Sequence, residues 1–402
     1  MKKIIILAEY IGENHNSTAY YWSQISKHLK NDYHVVLIAP ENEHSISFVA
    51  QYDIDARLVK LAKHNKNKLL SRLLGQAKQT ASFLSAVKRE IVDADLIFSG
   101  TNPIVTMASL SLMKWRYRFQ WLVLVHDVFP NNLVPAKVIS PKGLIYKALL
   151  AWSKKMYSSP NRLIVIGRDM KALLSDKIGN SASIDFVPNW ASTEKIAVEP
   201  KSSNEIIAEL GWQNNVVYQF FGNMGRLQGI AQLLDAIELS KNTGSRFLFI
   251  GCGSESAMIR HQIYKINKDC GYKKAHFFGR LDLAKNHIGL NACDVSLVTL
   301  SSNMYGLGVP SKAYFSMAAN KPILYVGEPK SELALLLAEH HIGWTCEPNQ
   351  PRQLADKLDS ITEQFSENGA EFMQPRAVLA SNFSEDMALQ SIKHSVDATI
   401  TP

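Results

Sequence analysis

The stretch Phe220-Phe221-Gly222-Asn223-Met224-Gly225-Arg226-Leu227-Gln228-Gly229 decides the fold. An apolar strand, Val216–Gly222, ends in a polar turn flanked by glycines, and a helical stretch, Ile230–Leu239, follows. Glycines let a backbone come close to a ligand, and a helix N-terminus presents free N–H groups and partial positive charge to a phosphate. Arg226 adds a permanently charged planar fork suited to phosphate oxygens. Outward from this turn, short β-branched runs alternate with longer amphipathic stretches, which is the pattern of parallel sheets wrapped by helices. The strand candidates of the first half are Lys3–Ala8, His34–Ala39, Asp95–Ser99, Trp121–His126 and Leu163–Ile166. Those of the second half are Val216–Gly222, Arg246–Gly251, Ala275–Gly279, Val295–Thr299 and Pro322–Val326.

The ten runs form two sets, so an α/β chain of two successive doubly wound domains is expected. The boundary falls after Val187-Pro188-Asn189-Trp190, in the polar stretch Ser192–Asn204. This gives a first domain over 1–195 and a second over 196–380, with a last helix at about 381–402 returning to the first. Ser381–Val396 reads as that helix, with Ser384 capping an acidic first turn of Glu385 and Asp386.

Further strings follow the first in order. They are Phe249-Ile250-Gly251-Cys252-Gly253-Ser254-Glu255, Phe277-Phe278-Gly279-Arg280, Asn291-Ala292-Cys293-Asp294-Val295, Gly308-Val309-Pro310-Ser311-Lys312 and Met317-Ala318-Ala319-Asn320-Lys321-Pro322-Ile323. In order and spacing this series resembles the donor-binding half of the retaining GT-B glycosyltransferases of family 4. It is closest to the branch acting in O-antigen, capsule and exopolysaccharide assembly. In the first half, Val125-His126-Asp127-Val128-Phe129-Pro130 resembles that family's strand-end histidine segment, and Val187–Trp190 its interdomain turn.

The resemblance implies two Rossmann-like domains facing a cleft, with a nucleoside diphosphate sugar held against the second. Gly222, Asn223, Gly225, Arg226 and Lys312 would meet the diphosphate, Gly279 and Arg280 the base. Gly253, Pro310 and Ser311 complete the implied donor set. On the first domain, Gly12 in the loop Tyr10–Thr18 would reach the sugar, and His126 and Asp127 would stand beside it, with Glu13 and His15 as lesser candidates. The family's two glutamates are replaced by Leu307 and Phe315, the lysine two residues after its arginine by Gln228, and a common glycine by Asn320. Glu332 is the candidate to supply a carboxylate instead.

The implied reaction is glycosyl transfer from a sugar nucleotide, a UDP-sugar favoured, to a polyprenyl-diphosphate-linked or saccharide acceptor. Arg226, Lys312 and the helix N-terminus would steady the departing diphosphate by fixed positive charge, with no metal and no cofactor. In retaining enzymes of this fold the diphosphate itself is often held to accept the acceptor proton, which leaves the role of His126 open. A non-catalytic sugar-nucleotide-binding subunit and a sugar-nucleotide epimerase of the same fold are the alternatives. A dinucleotide oxidoreductase is excluded by the first loop, IGENHNST, which lacks GxGxxG. Asp93-Ala94-Asp95 resembles the metal-binding D-x-D of a different glycosyltransferase fold, but it precedes an apolar strand in an exposed-looking turn.

Composition limits the partners. The chain has 402 residues, enough for two or three domains, and 46% of them are hydrophobic. No apolar run reaches membrane-spanning length, and the four cysteines have no metal-ligand spacing. Both point to a cytoplasmic enzyme. Residues 1–198 carry 26 Lys+Arg against 15 Asp+Glu, a net of +11, and residues 199–402 carry 18 against 21, a net of −3. No zinc-finger or RNA-binding motif accompanies the basic half, so nucleic acid is excluded. In Lys68–Ile91, Met113–Trp121 and Ile139–Ser158, basic residues interleave with aromatic and leucine side chains. This suits an anionic membrane surface met by the N-terminal domain from the cytoplasmic side.

Overall fold

The structure, a computed structural model, describes residues 1–13, 16–60, 69–179, 183–368 and 373–401, and the backbone alone of 69–77, 283 and 368. His15 and Lys68 lie outside the described residues. The chain divides into two compact units. One comprises Met1–Asn131, Ser140–Pro188 and Asp386–Pro402, and the other Asn132–Ile139 and Asn189–Glu385.

The first unit is built on a sheet of seven strands: β1 (Lys3–Leu7), β2 (His34–Pro40), β3 (Asp55–Val59), β4 (Leu96–Gly100), β5 (Trp121–Val125), β6 (Arg162–Val165) and β7 (Ile184–Phe186). Their order is β3-β2-β1-β4-β5-β6-β7, with every pairing parallel. β5 is fully covered and β1 and β4 nearly so, and Ile4, Ile5, Ile6, Phe98, Trp121 and Val123 have no exposed surface. That burial explains their unbroken apolar sequences, since a sheet covered by helices on both faces has no solvent side to alternate toward.

The second sheet holds β8 (Val216–Phe221), β9 (Ser245–Ile250), β10 (Ala275–Gly279), β11 (Val295–Thr299), β12 (Ile323–Val326) and β13 (Gly343–Cys346). Its order is β10-β9-β8-β11-β12-β13, again all parallel. In both sheets the chain winds outward from the first strand, then crosses to its other side. The two winding reversals, β1/β4 and β8/β11, are the places where ligands bind in doubly wound sheets, at the carboxyl ends of the strands.

Three edge or near-edge strands, β3, β7 and β13, were not expected from sequence. Arg57 and Asp55 interrupt β3, and their charges are spent on an ion pair with each other and, for Arg57, on Glu90 at 2.6 Å. β7 has only three residues. β13 opens on Gly343, where a Cβ would lie 2.0 Å from the Ile323 carbonyl oxygen of β12.

The division at Pro188/Asn189 comes ahead of the polar stretch in which sequence put the boundary. Trp190 and Ile196 bury themselves in the second unit. The Asn189 amide donates to the Val309 carbonyl at 3.2 Å, and the Arg376 guanidinium donates to the Ile196 carbonyl at 2.8 Å and to those of Thr193 and Ala318. The helix read over Ser381–Val396 is in fact two. Pro375–Asn382 ends at Phe383, and Glu385–Ile400 begins just after Ser384. Phe383 leaves the helical line to set its ring edge-on against Tyr314 and His340. The final helix belongs to the first unit. There it buries Leu389, Ile392 and Val396, and Ser395 donates to Asp185 beside β7 at 2.7 Å.

Candidate active site

At the carboxyl end of the second sheet, three loops are stitched together by backbone hydrogen bonds. Gly222 N donates to Ile250 O at 2.9 Å, Met224 N to Cys252 O at 3.0 Å, and Gly251 N to Gly279 O at 2.7 Å. Glycine is what allows this closeness. A Cβ on Gly251 would stand 1.9 Å from the Gly222 carbonyl oxygen, and one on Gly253 would stand 2.3 Å from that of Met224. The glycine identity of these two residues is thus explained by loop packing, independently of any ligand. Gly222 is different. Its Cβ would find ordinary space 3.8 Å from Lys312 Cε, but its φ of +134° is one that side chains rarely adopt.

After Gly225 the chain makes a short 3-10 turn, Arg226–Gln228, then passes through Gly229 at φ +61° into the helix Ile230–Leu239. No side chain caps that helix, so its first N–H groups keep their positive potential toward the loop. The end of β11 fixes the turn: the Thr299 hydroxyl donates to Gln228 O, and Ser301 N to Leu227 O at 2.9 Å. Arg226 itself is exposed, with Nε 3.9 Å from the Glu255 carboxylate. Asn223 is also exposed at the loop tip.

Lys312 rises from the start of the helix Lys312–Ala318 toward the same loop. Its ammonium donates to Gln228 Oε1 at 2.7 Å and lies 3.8 Å from the centre of the Phe220 ring. Among the described residues no carboxylate pairs with it, and burial pushes its pKa down to about 7. A cation held by an amide and an aromatic face, short of an anion, is electrostatically unfinished.

The other expected donor residues differ in exposure. Arg280 is exposed just beyond β10, and Pro310 and Ser311 are half-buried immediately before Lys312. Glu332 is buried in the first turn of the helix Glu332–His340 that follows β12. Leu307, standing where the family has a glutamate, is buried, while Phe315 is partly so. Asn320 adopts φ +55°, the conformation glycine would take there, and its side chain accepts from Arg376 N at 3.1 Å.

On the first unit, His126 and Asp127 leave the end of β5 as expected. The His126 ring stacks on Tyr21 at 6.4 Å between centres, and burial lowers its pKa to about 4, so the imidazole is neutral at physiological pH. Burial raises the Asp127 carboxyl above the usual range, partly offset by the Asn102 amide donating to Oδ2 at 3.3 Å. Tyr157 holds this loop, accepting from Phe129 N at 3.1 Å and donating to Asp127 O at 3.4 Å. Gly12, at φ +101°, is buried with its Cα against His44, where a Cβ would meet His44 Cβ at 2.8 Å. Glu13 is committed to Lys27 at 2.8 Å and to Tyr52.

Sequence reasoning missed Glu9 and two hydroxyls. Glu9 follows the end of β1 at the winding reversal, where burial raises its carboxyl pKa and a hydrogen bond with Tyr10 works against the shift. Thr101 Oγ1, just past β4, and Ser301 Oγ, just past β11, are buried with no hydrogen-bond partner among the described residues. Their signal was available: hydroxyl residues at the carboxyl ends of the strands opposite β1 and β8. Asp93 and Asp95 lie at the other end of the first sheet. There Lys3 Nζ contacts Asp93 at 2.6 Å and Lys3 N donates to Asp95 at 2.7 Å. Both carboxylates are thus spent on holding β1 to β4.

Residues 202–371, which carry the stitched glycine loops and Lys312, match the family model of glycosyl transferases group 1. Over 392 residues the chain is 41% identical to the probable glycosyltransferase WbjE of Pseudomonas aeruginosa, covering 97% of this chain and 96% of that one. The chain belongs to the group 1 glycosyltransferases. Solved structures agree on the fold of this glycosyltransferase. Anabaena Alr3699/HepE, solved with UDP and glucose, superposes with a TM-score of 0.75 at 15% identity, covering 99% of this chain and 100% of that one. WaaG, a glycosyltransferase involved in lipopolysaccharide biosynthesis, superposes with a TM-score of 0.67 at 13% identity and 98% coverage of both chains. The glycosyltransferase therefore has the GT-B fold of two Rossmann-like sheets.

Proposed function

We propose that this glycosyltransferase moves a sugar from a nucleoside diphosphate sugar, a UDP-sugar by preference, to a polyprenyl-diphosphate-linked or oligosaccharide acceptor in bacterial surface polysaccharide assembly. The observation that carries the proposal is Lys312, an ammonium without a counter-anion among the described residues, beside the Gly222–Arg226 loop and the uncapped helix Ile230–Leu239. A diphosphate supplies the missing charge. Anabaena Alr3699/HepE, which shares the fold, was solved with UDP, and WaaG is described as acting in lipopolysaccharide biosynthesis; both support the donor and product class.

In the proposed reaction the bond from the sugar C1 to the diphosphate oxygen breaks and the bond from C1 to the acceptor oxygen forms on the same face. The acceptor proton passes to the departing diphosphate oxygen. Arg226, Lys312 and the helix N–H groups stabilise the charge that develops on that oxygen, which removes the need for a metal. His126, neutral, and Asp127 orient the transferred sugar from the first unit. Acceptor and enzyme meet on the cytoplasmic face of the membrane, where the basic first unit attracts anionic lipid. Among the described residues no helix is long and apolar enough to cross a membrane.

The test is incubation with a panel of UDP- and GDP-sugars and a lipid-linked acceptor extract in the presence of EDTA, with nucleotide release measured. Release from one UDP-sugar, dependent on the extract, is expected. Release only after magnesium or manganese is restored overturns the metal-free scheme, and preference for a GDP-sugar overturns the donor.

A further inference from the structure

At the amino ends of β5 and β6, far along the first sheet from His126, a cavity of about 560 Å³ opens between two helix ends. Its walls come from the last turns of Ile104–Tyr117 and Leu144–Tyr157 and from the segments leading into the two strands. Lys114, Arg118 and Lys155 line it, and among the described residues no carboxylate does. Lys114 is held by the Ser159 carbonyl at 2.8 Å and by Asn161 Oδ1, both neutral. Burial there, with nothing negative to offset it, lowers its pKa to about 8. Among the described residues Arg118 and Lys155 make no ion pair, and they reach the cavity from its exposed rim. Gln120 Oε1 faces a buried site with no hydrogen-bond partner.

Beside the cavity, exposed apolar side chains stand next to the cations. Trp115 is 86% exposed and Leu112, one turn earlier on the same helix, 74%. On the neighbouring helix Leu144 and Ile145, at the end away from the cavity, are 82% and 71% exposed. Along that helix the positions Leu144, Ala148, Ala151 and Lys155 fall on one stripe, which runs from apolar residues to the lining cation. Side chains of this size stand in water at a cost unless something apolar receives them. An interfacial site needs apolar residues to enter the acyl boundary and cations at headgroup depth, and Trp is the residue suited to the border between them.

We propose that this cavity is a headgroup site, in which Lys114, Arg118 and Lys155 take the phosphate of an anionic phospholipid while Trp115 and Leu112 enter the acyl layer beside it. The inference rests on the membrane reading above and narrows it. The enzyme would not merely hover over negative charge; it would seat a phosphate in one place.

Two adjacent lysines separate a seated phosphate from diffuse attraction. Lys155 lines the cavity, whereas Lys154, the next residue and equally charged, does not. Binding of the full chain to vesicles is measured by co-sedimentation, using phosphatidylglycerol mixed with phosphatidylcholine, or phosphatidylcholine alone. Lys155→Ala and Arg118→Ala are expected to weaken binding to the anionic vesicles about tenfold, and Lys154→Ala less than twofold. Trp115→Ala weakens binding even in low salt. Equal losses for Lys154→Ala and Lys155→Ala overturn the cavity while leaving the membrane reading intact. Absence of parent binding to either vesicle overturns both. Free glycerol phosphate supplies the remaining arm. If it binds the parent as tightly as the vesicles do, with Trp115→Ala unaffected, the cavity takes a soluble phosphate and the lipid assignment fails. Nucleotide affinity, read on the same variants, stays at the parent value because none of the four residues lies on the donor loops.

Discussion

Lys312 Nζ and Gln228 Oε1 are joined by a 2.7 Å hydrogen bond over the face of Phe220, so the cation nearest the glycine loop is held by a neutral partner. Its pKa of about 7 lies far below the ordinary lysine value, and an arriving diphosphate favours the charged form and raises it. UDP binding at pH 7 should therefore take up about half a proton, approaching one at pH 8. Affinity should fall with rising pH above about 7, by up to about tenfold per unit, until the pKa of the complex is reached. Calorimetry in two buffers of different ionisation heat measures the uptake. Lys312→Arg should bind UDP with no proton uptake at this position; an unchanged uptake would assign the proton elsewhere.

Arg226→Ala and Lys312→Ala should each slow transfer by about a hundred- to a thousand-fold, the effect of deleting one donor aimed at a developing oxyanion, on the order of 2.7–4 kcal/mol. Melting of Arg226→Ala should match the parent, since the side chain is largely exposed. Rates within threefold of the parent would move the diphosphate away from this loop.

Gly253→Ala should lower UDP affinity although it removes no donor and no charge. The new methyl group meets the Met224 carbonyl at 2.3 Å and must push the Gly222–Arg226 loop aside, a strain on the order of 1–3 kcal/mol. Binding measured alongside Gly271→Ala, whose Cβ meets nothing, separates steric displacement from loss of glycine as such.

The neutral His126 has a consequence for acid stability. Its folded pKa, about 4, is below the unfolded value of about 6.5, so only the unfolded chain takes the proton between them. Its contribution is whole above pH 6.5 and is lost progressively as pH falls toward 4. Denaturant unfolding at pH 7 and pH 5 should show a smaller pH-dependent loss in His126→Asn than in the parent. Equal losses would mean the imidazole titrates normally.

How legible this was depended on where each residue's partners lie. The ten strand candidates were visible because they are written as short runs rich in apolar residues, β10 included although it lies at an edge. The edge strand β3 was not, because Asp55 and Arg57 are paired across space to each other and to Glu90, which no local pattern reveals. The break at Phe383 depends on Tyr314 and His340, far away in sequence. At the site, Lys312 and Gln228 could be named from spacing, but not their hydrogen bond, which spans 84 residues. Glu9 looked like one of 36 acids until the sheet order put it at the winding reversal.

The first unit is closed by a helix that follows the second unit in sequence. Tyr33 is hydrogen-bonded to Asp397, Asp185 to Ser395, and Lys2 to Thr401 at 3.2 Å, so segments far apart in the sequence complete one body. On the ribosome residues 1–188 emerge before the second unit and must wait while the whole of it is made. During that interval the surface destined for Leu389, Ile392 and Val396 stays uncovered. The second unit, nearly continuous in sequence, can fold as it appears. The nascent chain is therefore vulnerable in an inverted order, with the earlier-made body the later to be finished and the one a trapping chaperone would hold.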